Sequence, residues 1–295
     1  MQIIYDIPYI VHNIELTNNC IMKCVMCPRT ASMTRPKGFM PENVFETVIE
    51  QYTKDNKNIP SHVWLHHFGE SLLHPKVADY VQYMQKRGVK AGISINPVAL
   101  SPQKAEELLR ANPHILYLSI DGFNEATFSS IRGVQGAWEQ TRENTLHFLK
   151  MKSRQKSTTK AVISAINFPQ FPDLVRLSRK FWSSQPGVDD FLEKPFTDFN
   201  GDVQEITALH NAVPYTRCTK PWTCITVAWD GRVLPCCFDY DAQYVLGDVN
   251  HASLKDIFNG EPMQKLREQF INKNVTCTLC VNCVHGGKWS RSCGN

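Results

Sequence analysis

The 295-residue chain predicts an α/β protein of parallel strand–helix units followed by a small cysteine-rich domain. Three observations carry this. Short apolar runs alternate with segments of helical periodicity ten or more residues long, the pattern of parallel β/α units. About six such strands fit before residue 195, too few for a closed eight-stranded barrel. The eleven cysteines are unevenly spread: three by residue 27, none from 28 to 217, and eight from Cys218 to Cys293.

The elements follow in order. The apolar run Ile10, Val11, Ile14, Leu16 reads as a strand that stops at Thr17-Asn18-Asn19. Met40-Pro41-Glu42 opens a helix through Val44, Val48, Ile49 and Tyr52, with proline where helices accept it. Ile59 to Phe68 reads as a strand ended by Gly69, and Val77 to Arg87 as a helix stopped by Gly88. Val89 to Ile95 alternates like a strand, and Ser101-Pro102 caps a helix through Leu108 and Leu109. Ile115 to Ile120 is a strand, Trp138 to Met151 an amphipathic helix and Ala161 to Ile166 a strand. Phe171 to Trp182 is a helix and Val188 to Leu192 a short strand. The domains expected are 1–195 for the β/α body, 196–213 for a linker of weak periodicity, and 214–295 for the cysteine-rich part.

Composition narrows the class. With 42% hydrophobic and 20% charged residues, the chain is an ordinary globular sequence. A net charge of +4, carried by dispersed Lys and Arg, does not indicate a nucleic-acid partner. The N-terminal stretch has no basic region and cleavage site, and no apolar run is long enough to span a membrane. An odd cysteine count without a signal peptide argues for metal-holding thiols in a reducing cytoplasm rather than disulfides.

Cys20, Cys24 and Cys27 are spaced C-x3-C-x2-C on a loop just after a strand. Three thiolates can hold three irons of a [4Fe–4S] cube and leave the fourth iron open to a cofactor or substrate. A zinc site or a chance cluster is the alternative, but structural zinc wants a fourth ligand and none lies nearby. The spacing before Pro28-Arg29 resembles the radical S-adenosylmethionine (radical SAM) superfamily. That resemblance implies an open (β/α)6 partial TIM-like barrel and a cluster whose open iron chelates SAM. It also implies reductive cleavage of SAM to a hydrogen-abstracting 5′-deoxyadenosyl radical, and a reductant such as flavodoxin or ferredoxin. Here Met26 stands where the family often has an aromatic residue; its polarisable side chain can still cover the cluster or the adenine.

In β/α barrels chemistry sits at the C-terminal strand ends. His67-Phe68-Gly69-Glu70 resembles the family's GGE motif, which implies that Glu70 takes the SAM ammonium. Ser71 stands where the family often has proline. Ser94 and Asn96 end the third strand, where the family has ribose or carboxylate contacts; a plain strand end is the alternative. Ser119-Ile120-Asp121-Gly122 and Ile131-Arg132-Gly133 resemble segments that lie near SAM in relatives. Asp121 could equally cap a helix, and Arg132 could pair with a carboxylate or sit on the surface. His62, His66, His67 and His74 lack metal-ligand spacing and read as strand and loop histidines.

In the second cysteine region Ile225 to Trp229 and Arg232 to Leu234 form a hairpin through Asp230-Gly231. It folds Cys236 back toward Cys218 and Cys224. Helices are expected at Ser253 to Phe258 and Pro262 to Phe270, before Cys277, Cys280 and Cys283. Taken alone, this fits a zinc ribbon as well as an iron–sulfur site. Beside the upstream motif it resembles a twitch or SPASM-like extension holding at least one auxiliary [4Fe–4S] cluster. Cys218, Cys236, Cys280 and Cys283 match the arrangement of the 2-deoxy-scyllo-inosamine dehydrogenases. Cys277 and Cys293 depart from the full SPASM spacing, whereas Cys224, six residues after Cys218, resembles the first auxiliary cluster of sulfatase-maturating relatives; one auxiliary cluster is expected, and a second is the alternative.

The resemblance implies an enzyme that oxidises a C–H or carbinol of a sugar- or aminocyclitol-like substrate. Asp239 or Asp241 would accept the hydroxyl proton. The alternatives are a radical epimerase using Cys237 as hydrogen donor, a peptide- or protein-modifying maturase, and a non-catalytic iron–sulfur or zinc protein. If the strand extends through the cysteine pair, Cys236 and Cys237 face opposite sides. With no peptide-docking module expected ahead of the barrel, a small substrate is favoured over a peptide.

Overall fold

The structure is a computed structural model describing residues 9–56, 59, 62–197, 218–281 and 283. Among the described residues nine strands form one sheet: β1 (Ile10–Ile14), β2 (Val63–Trp64), β3 (Ala91–Ile95), β4 (Ile115–Ser119), β5 (Lys160–Ile166), β6 (Asp190–Lys194), β7 (Cys224–Val227), β8 (Arg232–Leu234) and β9 (Gly247–Asp248). Their order is β6-β5-β4-β3-β2-β1-β7-β8-β9. Strands β1 to β6 are parallel and each neighbours the next in sequence, the arrangement of an open partial β/α barrel.

The helices are α1 (Pro28–Ala31), α2 (Glu42–Asp55), α3 (Val77–Lys86), α4 (Pro102–Ala111), α5 (Glu125–Arg132), α6 (Trp138–Gln155) and α7 (Leu174–Trp182), then 220–223, 254–259, 261–271 and 278–281. One strand face packs on the helices: Val63, Ile93, Leu116, Leu118 and Ile163 are fully enclosed, with Val48, Met84, Leu108, Phe148 and Trp182 in the same core. Alternate positions face the other way, into the lumen, and carry Trp64, His66, Ser94, Tyr117, Ser119 and Ser164.

The caps follow local chemistry. Ser101 accepts the Lys104 N–H at the start of α4. Asn124 and Thr127 form a capping box on α5. Asp121 is therefore not that helix's cap.

Three elements differ from expectation. Among its described residues, the run Ile59 to Phe68 yields only the two-residue strand Val63–Trp64. Leu65 N–H still reaches Gly92 O at 2.7 Å, and the chain then leaves the sheet toward Glu70. Strand β6 runs to Lys194 rather than ending at Leu192. Strand β7 pairs in parallel with β1, so the cysteine-rich hairpin continues the barrel sheet. The expected linker from residue 198 onward, and Cys293, lie outside the described residues.

Candidate active site

The cysteine loop is set by packing against two neighbours. Gly69 has φ +133°, and a Cβ there would come 2.2 Å from Thr17 O. Gly133 has φ +67°, and a Cβ there would come 2.1 Å from Lys23 O. Only glycine allows both approaches without strain. Hydrogen bonds complete the clamp: Lys23 N–H to Arg132 O and Val25 N–H to Ile131 O, each 3.0 Å, and Glu70 N–H to Asn19 O at 2.8 Å. Cys20, Cys24 and Cys27 lie close enough to influence one another's ionisation. Burial raises the Cys20 thiol and takes Cys27 to about 12, so binding a metal there would release protons.

Glu70 is buried at the end of the β2 segment. Its Oε2 accepts Asn96 N–H at 2.7 Å and its Oε1 accepts Leu72 N–H at 3.0 Å. Burial raises the carboxyl to about 7, opposed by those two amides. Asp121 and Arg132 form a buried ion pair at 2.7 Å. Asp121 also accepts Ile166 N–H at 2.6 Å, and Arg132 donates to Ser119 O at 2.8 Å and toward Cys24 Sγ at 3.6 Å. Burial opposes the Arg132 charge, but Asp121 and Cys24 more than offset this and hold it above its ordinary value. Ser94, Ser119 and Ser164 form a hydroxyl ladder at 3.1 and 3.2 Å across β3, β4 and β5. Two buried donors beside these groups, Asn96 Nδ2 and Arg132 Nε, have no partner among the described residues.

Beneath the loop lies a network that motif reading missed. Glu15, fully enclosed, accepts Arg35 through both oxygens at 2.6 and 2.5 Å, and the amides of Phe68 and Trp229 at 3.3 Å. His67 Nδ1 lies 3.5 Å from it. Burial alone would raise Glu15, but His67 and Arg35 overcome this and hold it at about 2. The only signal in the sequence is a lone acid at the end of an apolar strand.

The turn 236–241 lies along the barrel wall. His67 Nε2 bonds Cys237 O at 2.9 Å, and Arg35 Nε donates to Tyr240 O at 2.6 Å. Asp241 takes the amides of Thr34 and Arg35 at 2.7 and 2.9 Å. The strand alternation expected for Cys236 and Cys237 does not apply: strand β8 ends at Leu234 and the pair opens a turn closed by Asp239 N–H on Cys236 O at 3.2 Å, with the two thiols close enough to influence each other's ionisation. Cys237 also receives Lys220 Nζ at 3.8 Å and lies close enough to His12 on β1 to be influenced by it. Cys236 first, then Lys220 and His12, hold Cys237 well below the usual thiol range, against burial.

Asp239 is buried. It spends one oxygen on Gln243 N–H at 2.8 Å and the other on Tyr244 N–H at 2.9 Å, and burial raises its carboxyl. Farther on, Cys280 N–H bonds Cys277 O and Cys283 N–H bonds Cys280 O, winding the three cysteines into successive turns. Cys277, Cys218 and Cys283 all bear on Cys280, whose thiol is raised, with the hydrogen bond to Cys277 as the main cause. Cys224 is buried at the start of β7, beside Ile10.

An open parallel barrel with three clustered thiols at a strand end, and a second thiol group on an appended hairpin, defines an iron–sulfur radical enzyme. The chain belongs to the radical SAM superfamily: residues 14–176 match it, and residues 218–284 match SPASM, an iron–sulfur cluster-binding domain. A tungsten-containing aldehyde ferredoxin oxidoreductase cofactor-modifying protein of Pyrococcus furiosus is 24% identical, over 92% of this chain and 86% of its own. SuiB of Streptococcus suis, solved bound to precursor peptide SuiA, superposes with a TM-score of 0.69 at 14% identity, covering 95% of this chain and 72% of SuiB. BtrN, solved with AdoMet and 2-DOIA, gives 0.62 at 14% identity, covering 94% and 93%.

The cofactors are SAM, its [4Fe–4S] cluster and auxiliary iron–sulfur clusters. The residues present fit them. Three mutually close thiols leave one iron of a cube open, and the unpartnered Asn96 and Arg132 donors suit a polar ligand beside it. Among the described residues no three His, Cys, Asp or Glu side chains converge on a single-ion site, and no helix is long and apolar enough to cross a membrane.

Proposed function

We propose that the enzyme oxidises a C–H bond at a hydroxyl-bearing carbon of a polar substrate held in the lumen. The observation that supports this is the seat of the 236–241 turn. It brings Cys236 to the wall of the barrel, bonded through Cys237 O to His67, three residues from Glu70. When bound, SAM and the clusters supply a hydrogen-abstracting 5′-deoxyadenosyl radical and an acceptor for the second electron.

The chain's own residues hold and orient. We assign Cys20, Cys24 and Cys27 to the SAM-binding cluster. Glu70 takes the SAM ammonium, a charge-assisted contact that requires a carboxylate. Asn96 and Arg132 offer their free donors to SAM, with Ser94, Ser119 and Asp121 fixing the strand ends around them. Cys218, Cys236, Cys280 and Cys283 are assigned to an auxiliary cluster, and Cys277 lies close enough to Cys280 to compete for a place. The substrate carbon gives up a hydrogen atom and one electron, and its hydroxyl gives up a proton, leaving a carbonyl. For that proton Asp241 is poorly suited, being tied to Thr34 and Arg35. Asp239 is buried, raised by burial, and keeps a lone pair on each oxygen.

A second reading, inversion of a stereocentre, draws on Cys237 at the barrel wall as hydrogen donor; the surroundings that hold its thiol well below the usual range speak against that role, which needs the protonated form. The relatives widen the substrate class, one named for modifying a cofactor and one crystallised with a precursor peptide. A cofactor precursor or peptide therefore stands beside a sugar-like molecule.

The test is iron and zinc content of anaerobically purified protein, with 5′-deoxyadenosine release under dithionite. Iron without zinc, with release, is expected; zinc-loaded protein releasing none would overturn the proposal. Cys237→Ala in deuterated water then separates the two chemistries. A dehydrogenase keeps turning over in the variant and puts no deuterium on carbon. An epimerase loses its product in the variant and, in the wild type, labels the inverted carbon.

A further inference from the structure

Lys194 closes β6 and turns its side chain into the barrel, where the ammonium lies 5.2 Å above the ring of Tyr117. The ammonium has no hydrogen-bond or ion-pair partner among the described residues. The acids around it are already taken. Asp121 is paired with Arg132 and holds the Ile166 amide. Glu193 faces Arg179 and Asn167, and Asp190 faces Lys160. His66, whose ring accepts Ser94 N–H at 3.2 Å, is taken by burial to about 3 and stays neutral. The same burial lowers Lys194 to about 8, opposed by Asp121, so the side chain is largely cationic at neutral pH.

A lysine stem is flexible, and at a strand end near solvent its charge could leave the barrel at little cost. Holding a cation inside without an anion is unfavourable. The arrangement is explained if a ligand supplies the counter-charge. The partners assigned to SAM above are Glu70 after β2, Asn96 after β3 and Arg132 at the end of α5, whereas Lys194 closes β6, two strands beyond β4 in the sheet order.

We propose that Lys194 anchors an oxyanion of the substrate, a carboxylate or a phosphate, inside the lumen. This rests on the radical SAM reading above and deepens it. It favours a sugar acid, a sugar phosphate or a carboxylate-bearing peptide or precursor over a cationic aminocyclitol.

The test uses anaerobic holoenzyme saturated with SAM and titrated by calorimetry, at constant ionic strength, with inorganic phosphate and separately with acetate. Wild type is expected to bind at least one, and which one identifies the group. Lys194→Met should weaken that binding by about tenfold or more, Lys194→Arg should retain it, and Lys160→Met, at the far end of β5, should not change it. The thermal midpoint of substrate-free Lys194→Met should rise, because an unpaired, half-buried charge has been removed. A merely structural cation–π contact predicts a fall.

Wild type that binds neither probe, a methionine variant that binds equally well or melts earlier, or one that loses SAM affinity instead would overturn the assignment. Release of 5′-deoxyadenosine by the same wild-type preparation is the control. If release persists while both probes fail, Lys194 is misassigned; if release is absent, the radical SAM reading itself fails.

Discussion

Replacing Glu15 by Gln tests the joint beneath the cysteine loop. Glu15 is fully enclosed and meets the Arg35 guanidinium through both oxygens, at 2.6 and 2.5 Å. The variant keeps the shape but leaves a buried cation facing a neutral amide, a change that costs about 3–5 kcal/mol. The carboxyl's acidity gives a separate figure. A group held at about 2 rather than at its ordinary 4.5 contributes about 3 kcal/mol at neutral pH. The sign follows from the lowered value: this stability is fully present above about pH 4.5 and is lost as pH falls toward 2.

The assay is anaerobic thermal unfolding of reconstituted holoenzyme, with iron counted in each sample. Glu15→Gln should lower the midpoint by roughly 10 °C and flatten its acid dependence between pH 5 and 3. A double variant, Glu15→Leu with Arg35→Met, should recover part of the loss, because no charge is left unpaired although the Phe68 and Trp229 amides and Tyr240 O lose a partner. A shift of about 2 °C or less, or a double variant as unstable as the two single losses added, would refute the reasoning.

The other predictions concern the cofactor end. Glu70→Gln should weaken SAM binding by roughly ten- to a hundred-fold with iron content unchanged, as read by equilibrium binding. In the wild type SAM affinity should rise as pH climbs through about 7, where Glu70 ionises, and the glutamine variant should lose that rise. Replacing Cys20, Cys24 and Cys27 together by Ala should remove about four irons and all 5′-deoxyadenosine release while an auxiliary cluster persists in the absorption spectrum. Gly133→Ala should disorder the cysteine loop, since its Cβ would meet Lys23 O at 2.1 Å; slower cluster reconstitution with an intact circular dichroism spectrum checks it.

The strand–helix rhythm, the three-cysteine loop, Glu70 at the end of β2 and the second cysteine group were all legible in the sequence alone. Each is local: periodicity follows from burial of one face, and the C-x3-C-x2-C spacing depends only on neighbours in the chain. What tertiary structure decided depends on residues far apart. Glu15, Arg35 and His67 carry no motif, and become a joint only when β1, the following loop and the β2 end converge. Asp121 reads equally well as a helix cap until Arg132 reaches it from the end of α5. Cys236 and Cys237 follow no strand alternation because the strand ends two residues before them, and what Cys237 touches is set by β1 and by Lys220. Lys194 looks like one more basic residue before a linker. It turns into the lumen because β6 runs two residues past the apolar pattern, and strand register, which no local propensity specifies, decides which face its side chain takes.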